Sequence, residues 1–230
     1  MATVMSKPAD FSAVSLAVRP WDARLARLMV APLTSSRVTP NHLTTIRLAV
    51  GLAAATAFTR GTYGWSNLAA LLLVLSNFLD HADGELARMS GKASRLGHWY
   101  DLASDAAVTI LLFIAMGIGM SASPGLLGVP PDALGAIAGT AVALIFFLRI
   151  RIEEMGGKPA SQQASLAGFE TEDILYLLPV VTLCNGVTPY LIAASIGAPL
   201  FAVWVVIDYR RVMRRLKPAV ADPTSGTGLA

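Results

Sequence analysis

The chain has 230 residues, of which 54% are hydrophobic and only 14% are charged. A water-soluble domain of this length would carry more charge and a clear amphipathic periodicity, so this composition indicates a membrane protein. The net charge of +3 is typical of attraction to anionic lipid head groups and gives no support for nucleic-acid binding.

The first segment, residues 1–37, is predicted to lie at the membrane surface or in the cytoplasm. Leu25 and Leu28 can share one face of a helix, while Arg24 and Arg27 lie on the other. This pattern favours an N-terminal amphipathic helix in the membrane interface, with a soluble connector as the alternative.

Six apolar stretches follow, most of them close to the length of about 20 residues that a membrane-spanning helix needs. We therefore predict an all-α polytopic membrane domain over residues 38–217 and a disordered cytoplasmic tail over residues 218–230. The six predicted spans are 41–59, 65–82, 97–121, 132–152, 172–187 and 189–209.

The basic residues predict the orientation of these spans. If the N-terminus is cytoplasmic, only Arg60 of the 18 Lys and Arg residues falls on the far side, as the positive-inside rule requires. We therefore expect an integral protein of the inner (plasma) membrane, with residues 80–105 at its cytoplasmic face.

Four aspartates lie within or beside the second and third spans. Asp80 and Asp83 have the spacing of one helical stripe, and Asp101 and Asp105 have that of another. A short turn between the two helices could bring all four carboxylates to one point. Carboxylates at such a depth favour a functional site, and an oxygen-only cluster suits Mg²⁺, Mn²⁺ or Ca²⁺.

Aspartates in membrane helices can also have three different roles. Helix capping accounts for one or two of them, but not for four on two facing stripes. An ion-pair network could join Arg88 to one carboxylate and would leave three unpartnered. A divalent-cation transporter would need carboxylates near the middle of the bilayer.

The aspartates belong to a longer motif of fixed spacing. Its positions, with gaps of two, two, eight, three and three residues, are Asp80, Asp83-Gly84, Ala87-Arg88, Gly97, Asp101 and Asp105. In every position and gap this motif resembles the signature of the CDP-alcohol phosphotransferase (CDP-alcohol phosphatidyltransferase) family. The resemblance implies that an acceptor hydroxyl attacks the phosphate of a CDP-alcohol lipid, commonly CDP-diacylglycerol, and that CMP leaves.

The resemblance also implies roles for the motif residues. Asp80, Asp83 and Asp101 correspond to ligands of Mg²⁺ or Mn²⁺, and Asp105 to the base that takes the acceptor proton and also touches metal. It further implies a homodimer that works among membrane lipids. The positions expected to face the nucleotide are Gly84, Ala87, Arg88 and Gly97, with Asn41 and Thr44 of a Pro-Asn-x-x-Thr sequence that family members often carry.

The acceptor is a small polar alcohol whose identity the sequence leaves open. The Asp-Gly-Glu-x-Ala-Arg run resembles the branch that uses phosphorylated polyols, such as inositol phosphate, and glycerol 3-phosphate is a second polyol. Glu170, Glu172 and Asp173 would instead suit serine, choline or ethanolamine. Candidate phosphate or acceptor contacts, equally expected from the positive-inside rule, are Arg47, Lys92, Arg95, Arg149 and Arg151.

Overall fold

The described part of the chain is built from helices. The computed structural model describes residues 21–156 and 176–216, and within these ranges the regular structure is helical, without strands. The helices are α1 (Trp21–Val30), α2 (Pro40–Phe58), α3 (Tyr63–Ser90), α4 (Arg95–Gly119), α5 (Pro131–Gly156), α6 (Leu178–Leu183) and α7 (Val187–Leu216), with a 3₁₀ turn at Ala31–Leu33.

Three of these helices are long and apolar enough to cross a membrane. They contain the segments Arg95–Gly119, Pro131–Met155 and Val187–Arg214, whose mean hydropathy values are 2.0, 2.1 and 2.2. The predicted helical membrane fold is therefore confirmed in part, because the described residues form helices and three of these could cross a membrane. The number of six spans stays a prediction.

The other predicted spans are present in different forms. Helices α2 and α3 cover the first two, but they are not among the three helices that are apolar enough to cross a membrane. Of the fifth span, predicted over 172–187, the structure describes the six-residue helix α6, and residues 172–175 lie outside the described ranges. Residues 1–20 and 217–230 also lie outside them, so the predicted disordered tail stays a prediction.

Helix α2 begins where the sequence predicted. Thr39 is the N-cap, its backbone N–H donates to His42 Nδ1 at 3.2 Å, and Pro40 occupies the first helical turn. Proline suits this position because the first turn needs no intrahelical donor from it.

A short turn reverses the chain between α3 and α4. Helix α3 continues to Ser90 and ends at Gly91, whose φ of 66° lies in the left-handed region that favours glycine. Ser94 then caps α4 by accepting a hydrogen bond from the Gly97 N–H at 2.9 Å. The two halves of the aspartate motif therefore lie on consecutive helices, both of which pack against α2.

The helices pack as a series of neighbours. Helix α2 packs against both α3 and α4, α4 against α5, and α5 against α7. The main core includes the buried side chains of Phe58, Leu73, Leu112, Met116 and Leu191.

Helix α1 packs on α3 beside the aspartate end of the bundle. Ala26 and Val30 are buried there against Leu86, while Leu28 and Met29 are 73% and 58% exposed. The helix is thus present with an exposed apolar side, and its position in the membrane interface stays a prediction.

Close approach of α2, α3 and α4 requires a glycine at position 51. A Cβ atom added to Gly51 would lie 2.5 Å and 2.8 Å from the two methyl groups of Val108, and 3.1 Å from Ser76 Oγ. Valine is stiff at its first side-chain torsion, so this contact has little room to relax.

We predict that Gly51→Ala lowers the thermal unfolding temperature in detergent, with an overpacking cost of about 1–3 kcal/mol. Gly64→Ala is the matched control, since a Cβ on Gly64 has nothing within 4 Å. Differential scanning fluorimetry measures both. Equal unfolding temperatures for the two variants would contradict the close packing at Gly51.

Candidate active site

Helices α3 and α4 bring the predicted aspartates to one end of the bundle. Oxygen atoms of Asp80, Asp101 and Asp105 all lie within 4.8 Å of one another. Asp83 is 4% exposed and faces α2, where the Thr44 hydroxyl donates to its Oδ2 at 2.7 Å. Thr44, predicted to face the nucleotide, therefore contacts a carboxylate in this structure.

The guanidinium of Arg47 lies among all four carboxylates. Its Nη1 is 3.0 Å from Asp80 Oδ1 and 2.5 Å from Asp105 Oδ1. Its Nη2 is 2.7 Å from Asp101 Oδ1, and its Nε is 3.7 Å from Asp83 Oδ2. The Arg47 side chain is only 3% exposed, so this cation from α2 joins α3 to α4 inside the bundle.

The backbone around Arg47 is also held in place. Arg47 Nη2 donates to the backbone oxygen of Asp101 at 2.9 Å, and the Ser76 hydroxyl donates to the backbone oxygen of Arg47 at 2.9 Å. Ser76 is 2% exposed and lies one turn before Asp80 on α3. It was not among the residues predicted from the sequence, although its four-residue spacing from Asp80 places it on the same stripe.

The four carboxylates fit a divalent cation in chemistry and charge. Arg47 supplies one positive charge against four carboxyl groups, so the cluster holds more acidic groups than cations. All the donors of the Asp80, Asp101 and Asp105 group are carboxylate oxygens, which is the set that Mg²⁺ and Mn²⁺ prefer.

A second group of predicted residues meets where α2 and α4 begin. A Cβ atom on Gly97 would lie 2.8 Å from Asn41 Oδ1 and 3.0 Å from Ser94 Oγ, so glycine permits this close approach. Thr45 and Tyr100, which were not predicted from the sequence, are joined beside it by a 3.1 Å hydrogen bond between their hydroxyls.

The remaining nucleotide candidates line the same side of α3. Gly84 and Ala87 are half-buried, and a Cβ on Gly84 would meet the flexible Arg88 side chain at 3.3 Å. Arg88 is 59% exposed and pairs with Glu85 at 2.9 Å. The aspartates therefore pair with Arg47, and the alternative in which Arg88 pairs with one of them is not seen.

Two of the basic candidates have partners away from the aspartates. Lys92 Nζ donates to the backbone oxygens of Ser36 at 2.9 Å and Val38 at 3.3 Å, which ties the α3–α4 turn to the segment before α2. Arg151 pairs with Glu154 on its own helix at 2.8 Å.

The other basic candidates are Arg95 and Arg149. Arg95 is exposed at the start of α4. Arg149 lies over the ring of Phe201, 5.7 Å from its centroid, and so connects α5 to α7. Their role as phosphate contacts stays a prediction. The acidic candidates Glu170, Glu172 and Asp173 lie outside the described residues.

A histidine next to the motif joins α4 to α5. His98 Nε2 is 3.0 Å from Glu153 Oε1, and this contact brings the end of α5 to the start of α4. His98 follows Gly97 directly in the motif, and this position was the only sequence feature that pointed to it. Its acidic partner depends on helix packing and could not be chosen from the sequence.

The chain belongs to the CDP-alcohol phosphatidyltransferase family, because the sequence profile of that family matches residues 37–208, more than half of the chain. It is therefore an enzyme that transfers phosphate-containing groups. The chain is similar to an archaetidylinositol phosphate synthase of Pyrococcus horikoshii, with 38% identity over 87 residues. The match covers 37% of this chain and 45% of the relative, so it spans less than half of that protein's length.

Two solved structures have the same fold. Both are of the Mycobacterium tuberculosis phosphatidylinositol phosphate synthase PgsA1. The structure with CDP-DAG bound has a TM-score of 0.59 at 20% identity and covers 90% of this chain and 99% of its own. The complex with manganese and citrate has a TM-score of 0.56 at 18% identity and covers 91% and 93%.

We predict that Arg47→Gln destabilises the metal-free protein by about 3–5 kcal/mol, because it leaves buried carboxylates without their cation. Unfolding in detergent with EDTA measures this loss. Arg151→Gln removes an exposed pair and should cost about 0–1 kcal/mol. Equal stability of the two variants would mean that Arg47 does not hold the cluster.

Proposed function

We propose that the enzyme transfers a phosphatidyl group from CDP-diacylglycerol to the hydroxyl of an inositol phosphate, with release of CMP. The observation that carries the proposal is the cluster of four aspartates around Arg47, at the full motif spacing, in a chain of this family. The acceptor is supported by the relatives from Pyrococcus horikoshii and Mycobacterium tuberculosis, both named as inositol phosphate lipid synthases.

We propose that Asp80, Asp83, Asp101 and Asp105 hold Mg²⁺ or Mn²⁺. The metal, when bound, neutralises charge on the diphosphate of the donor and on the departing CMP. The proximity of three of these carboxylates supports this role. Thr44 acts through Asp83, since its hydroxyl fixes the orientation of that carboxylate.

Asp105 is the proposed base. It accepts the proton of the acceptor hydroxyl while the hydroxyl oxygen forms a bond to the phosphorus of the phosphatidyl group. The phosphorus–oxygen bond to CMP then breaks, and CMP leaves with the electron pair. Asp105 lies one turn beyond Asp101, so base and metal ligand face the same space. No activated Ser or Cys lies in the motif, which favours direct transfer without a covalent enzyme intermediate.

The nucleotide is proposed to bind between α2, α3 and α4. Gly84 and Ala87 keep one side of α3 small enough for a flat base or a diphosphate to approach, and Gly97 lets the Asn41 amide come close to α4. The Arg88 side chain is 59% exposed, and its guanidinium has several N–H donors. It can therefore contact a phosphate without any movement of α3.

The phosphate of the acceptor is proposed to bind Arg149. Phe146 lines a cavity that Asp80 and Asp105 also line, and Arg149 follows Phe146 by three residues on the same face of α5. Its permanent charge suits a phosphate. Lys92, Arg95 and Arg151 are weaker candidates, because the first and last have partners elsewhere and Arg95 is exposed on the outside.

We propose a membrane domain over residues 38–217 with six spans and a cytoplasmic active site in the inner (plasma) membrane. The starts of α2 and α4 lie with the ends of α3 and α5 at the aspartate end of the bundle, where Lys92, Arg149 and Arg151 are also found. This clustering of cations supports the orientation. Residues 1–37 would rest on the membrane surface, and a homodimer follows from the resemblance to the family.

We predict that CMP release from CDP-diacylglycerol depends on inositol phosphate, stops with EDTA and returns with Mg²⁺ or Mn²⁺. The assay uses purified protein and a panel of acceptors that includes glycerol 3-phosphate, serine, choline and ethanolamine. Turnover with an amino alcohol alone would overturn the proposed acceptor. Metal flux into vesicles without CMP release would overturn the transferase reaction.

A second prediction separates the base from the metal ligands. Asp105→Asn should leave CDP-lipid binding nearly intact and reduce transfer by about 100-fold or more, the usual scale of positioned proton transfer. Asp80→Asn should weaken CDP-lipid binding, since the metal that meets the diphosphate is lost. Binding and turnover are measured on the same preparations, and equal losses of affinity would make Asp105 chiefly a metal ligand.

A further inference from the structure

A small cavity extends from the aspartates toward the middle of the helix bundle. Its volume is about 50 Å³, with Asp80 and Asp105 at one end and Leu73 and Val108 at the other. Leu73 precedes Asp80 by two turns on α3, and Val108 follows Asp105 by one turn on α4. The cavity is therefore an inner extension of the aspartate site.

The wall of this cavity includes the side-chain amide of Asn77. The Asn77 Nδ2 atom is buried and has no hydrogen-bond partner among the described residues. Most buried N–H groups are paired, and an unpaired one destabilises the fold. Asn77 lies one turn before Asp80, so its amide and the carboxylate occur on one face of α3.

Size and charge restrict what Asn77 can bind. The cavity has room for one or two water molecules, each of which takes about 30 Å³ in the liquid. Arg47 lines the cavity together with the carboxyl groups of Asp80 and Asp105, so Arg47 already has acidic partners there and the wall disfavours an added anion. A neutral hydroxyl satisfies both conditions, since its oxygen accepts from the amide and its hydrogen donates to a carboxylate. Ser76 and Thr109 add hydroxyl groups to the same wall.

We propose that this cavity is a hydroxyl-binding pocket and that Asn77 is a specificity-determining residue for the acceptor. The inference rests on the proposed transfer to a polyol. Water fills the pocket in the absence of acceptor, and a hydroxyl of the polyol other than the attacking one replaces it during transfer. Choline and ethanolamine have no second hydroxyl, so they cannot replace this water and gain no contact with Asn77, which disfavours them relative to a polyol.

The test is Asn77→Leu, which keeps the approximate shape and removes the donor. We expect the KM for the acceptor to rise about 10-fold or more, the scale of one lost buried hydrogen bond, with unchanged Mn²⁺ binding and KM for CDP-diacylglycerol. The acceptor used is the one that gives the wild type its highest turnover. Asn67→Leu is the matched control, since Asn67 also has a buried side-chain atom without a partner among the described residues but does not line the cavity.

Deoxy analogues of the acceptor identify the bound hydroxyl without a variant. One analogue should lose about 10-fold in kcat/KM with the wild type, and the loss should disappear in Asn77→Leu. An unchanged acceptor KM in Asn77→Leu, or equal behaviour of all analogues with the wild type, would show that the pocket holds water only. If no acceptor supports CMP release, the proposed function fails. Calorimetric titration of inositol into the wild type and Asn77→Leu then tests separately whether the pocket binds a hydroxyl group. Equal inositol binding, or none, would overturn it.

Discussion

The guanidinium of Arg47 holds together the two helices that carry the four carboxylates. Taking a charge out of water into an apolar bundle is costly, and an unpaired carboxylate at this depth would favour a shift of the helices. Arg47 contacts Asp80 and Asp83 on α3 and Asp101 and Asp105 on α4, so one side chain fixes the relative position of both helices. The carboxylates remain in excess, which leaves the cluster attractive to a divalent cation.

The packing around Arg47 makes this arrangement possible. Gly51, one turn beyond it, lets α2 approach Val108 closely, and Ser76 holds the Arg47 backbone oxygen. At the other side of the site, Gly97 lets the start of α4 meet Asn41. Small residues at these crossings allow helix backbones to come near one another, as is typical where membrane helices associate.

Much of the site could be predicted from spacing, and the rest depended on packing. The stripes of the four aspartates and the Thr39-Pro40 start of α2 follow from helical periodicity and capping, both of which are local. The position of Arg47 between α3 and α4 depends on how the three helices pack. The sequence showed only that an arginine lies within an apolar stretch. Lys92 donates to the backbone oxygens of Ser36 and Val38, and backbone acceptors of this kind cannot be recognised from the sequence. Helices α2 and α3, which carry Arg47 and two of the aspartates, are not among the three helices that are apolar enough to cross a membrane.

If the four aspartates form one cation site that serves phosphate transfer, a divalent metal must bind among them. Anomalous X-ray diffraction from crystals soaked in Mn²⁺ locates the ion without any assumption about turnover. We expect a manganese peak within the cluster of Asp80, Asp101 and Asp105. A well-ordered crystal with manganese bound elsewhere, and none among these carboxylates, would show that the aspartates are not the cation site.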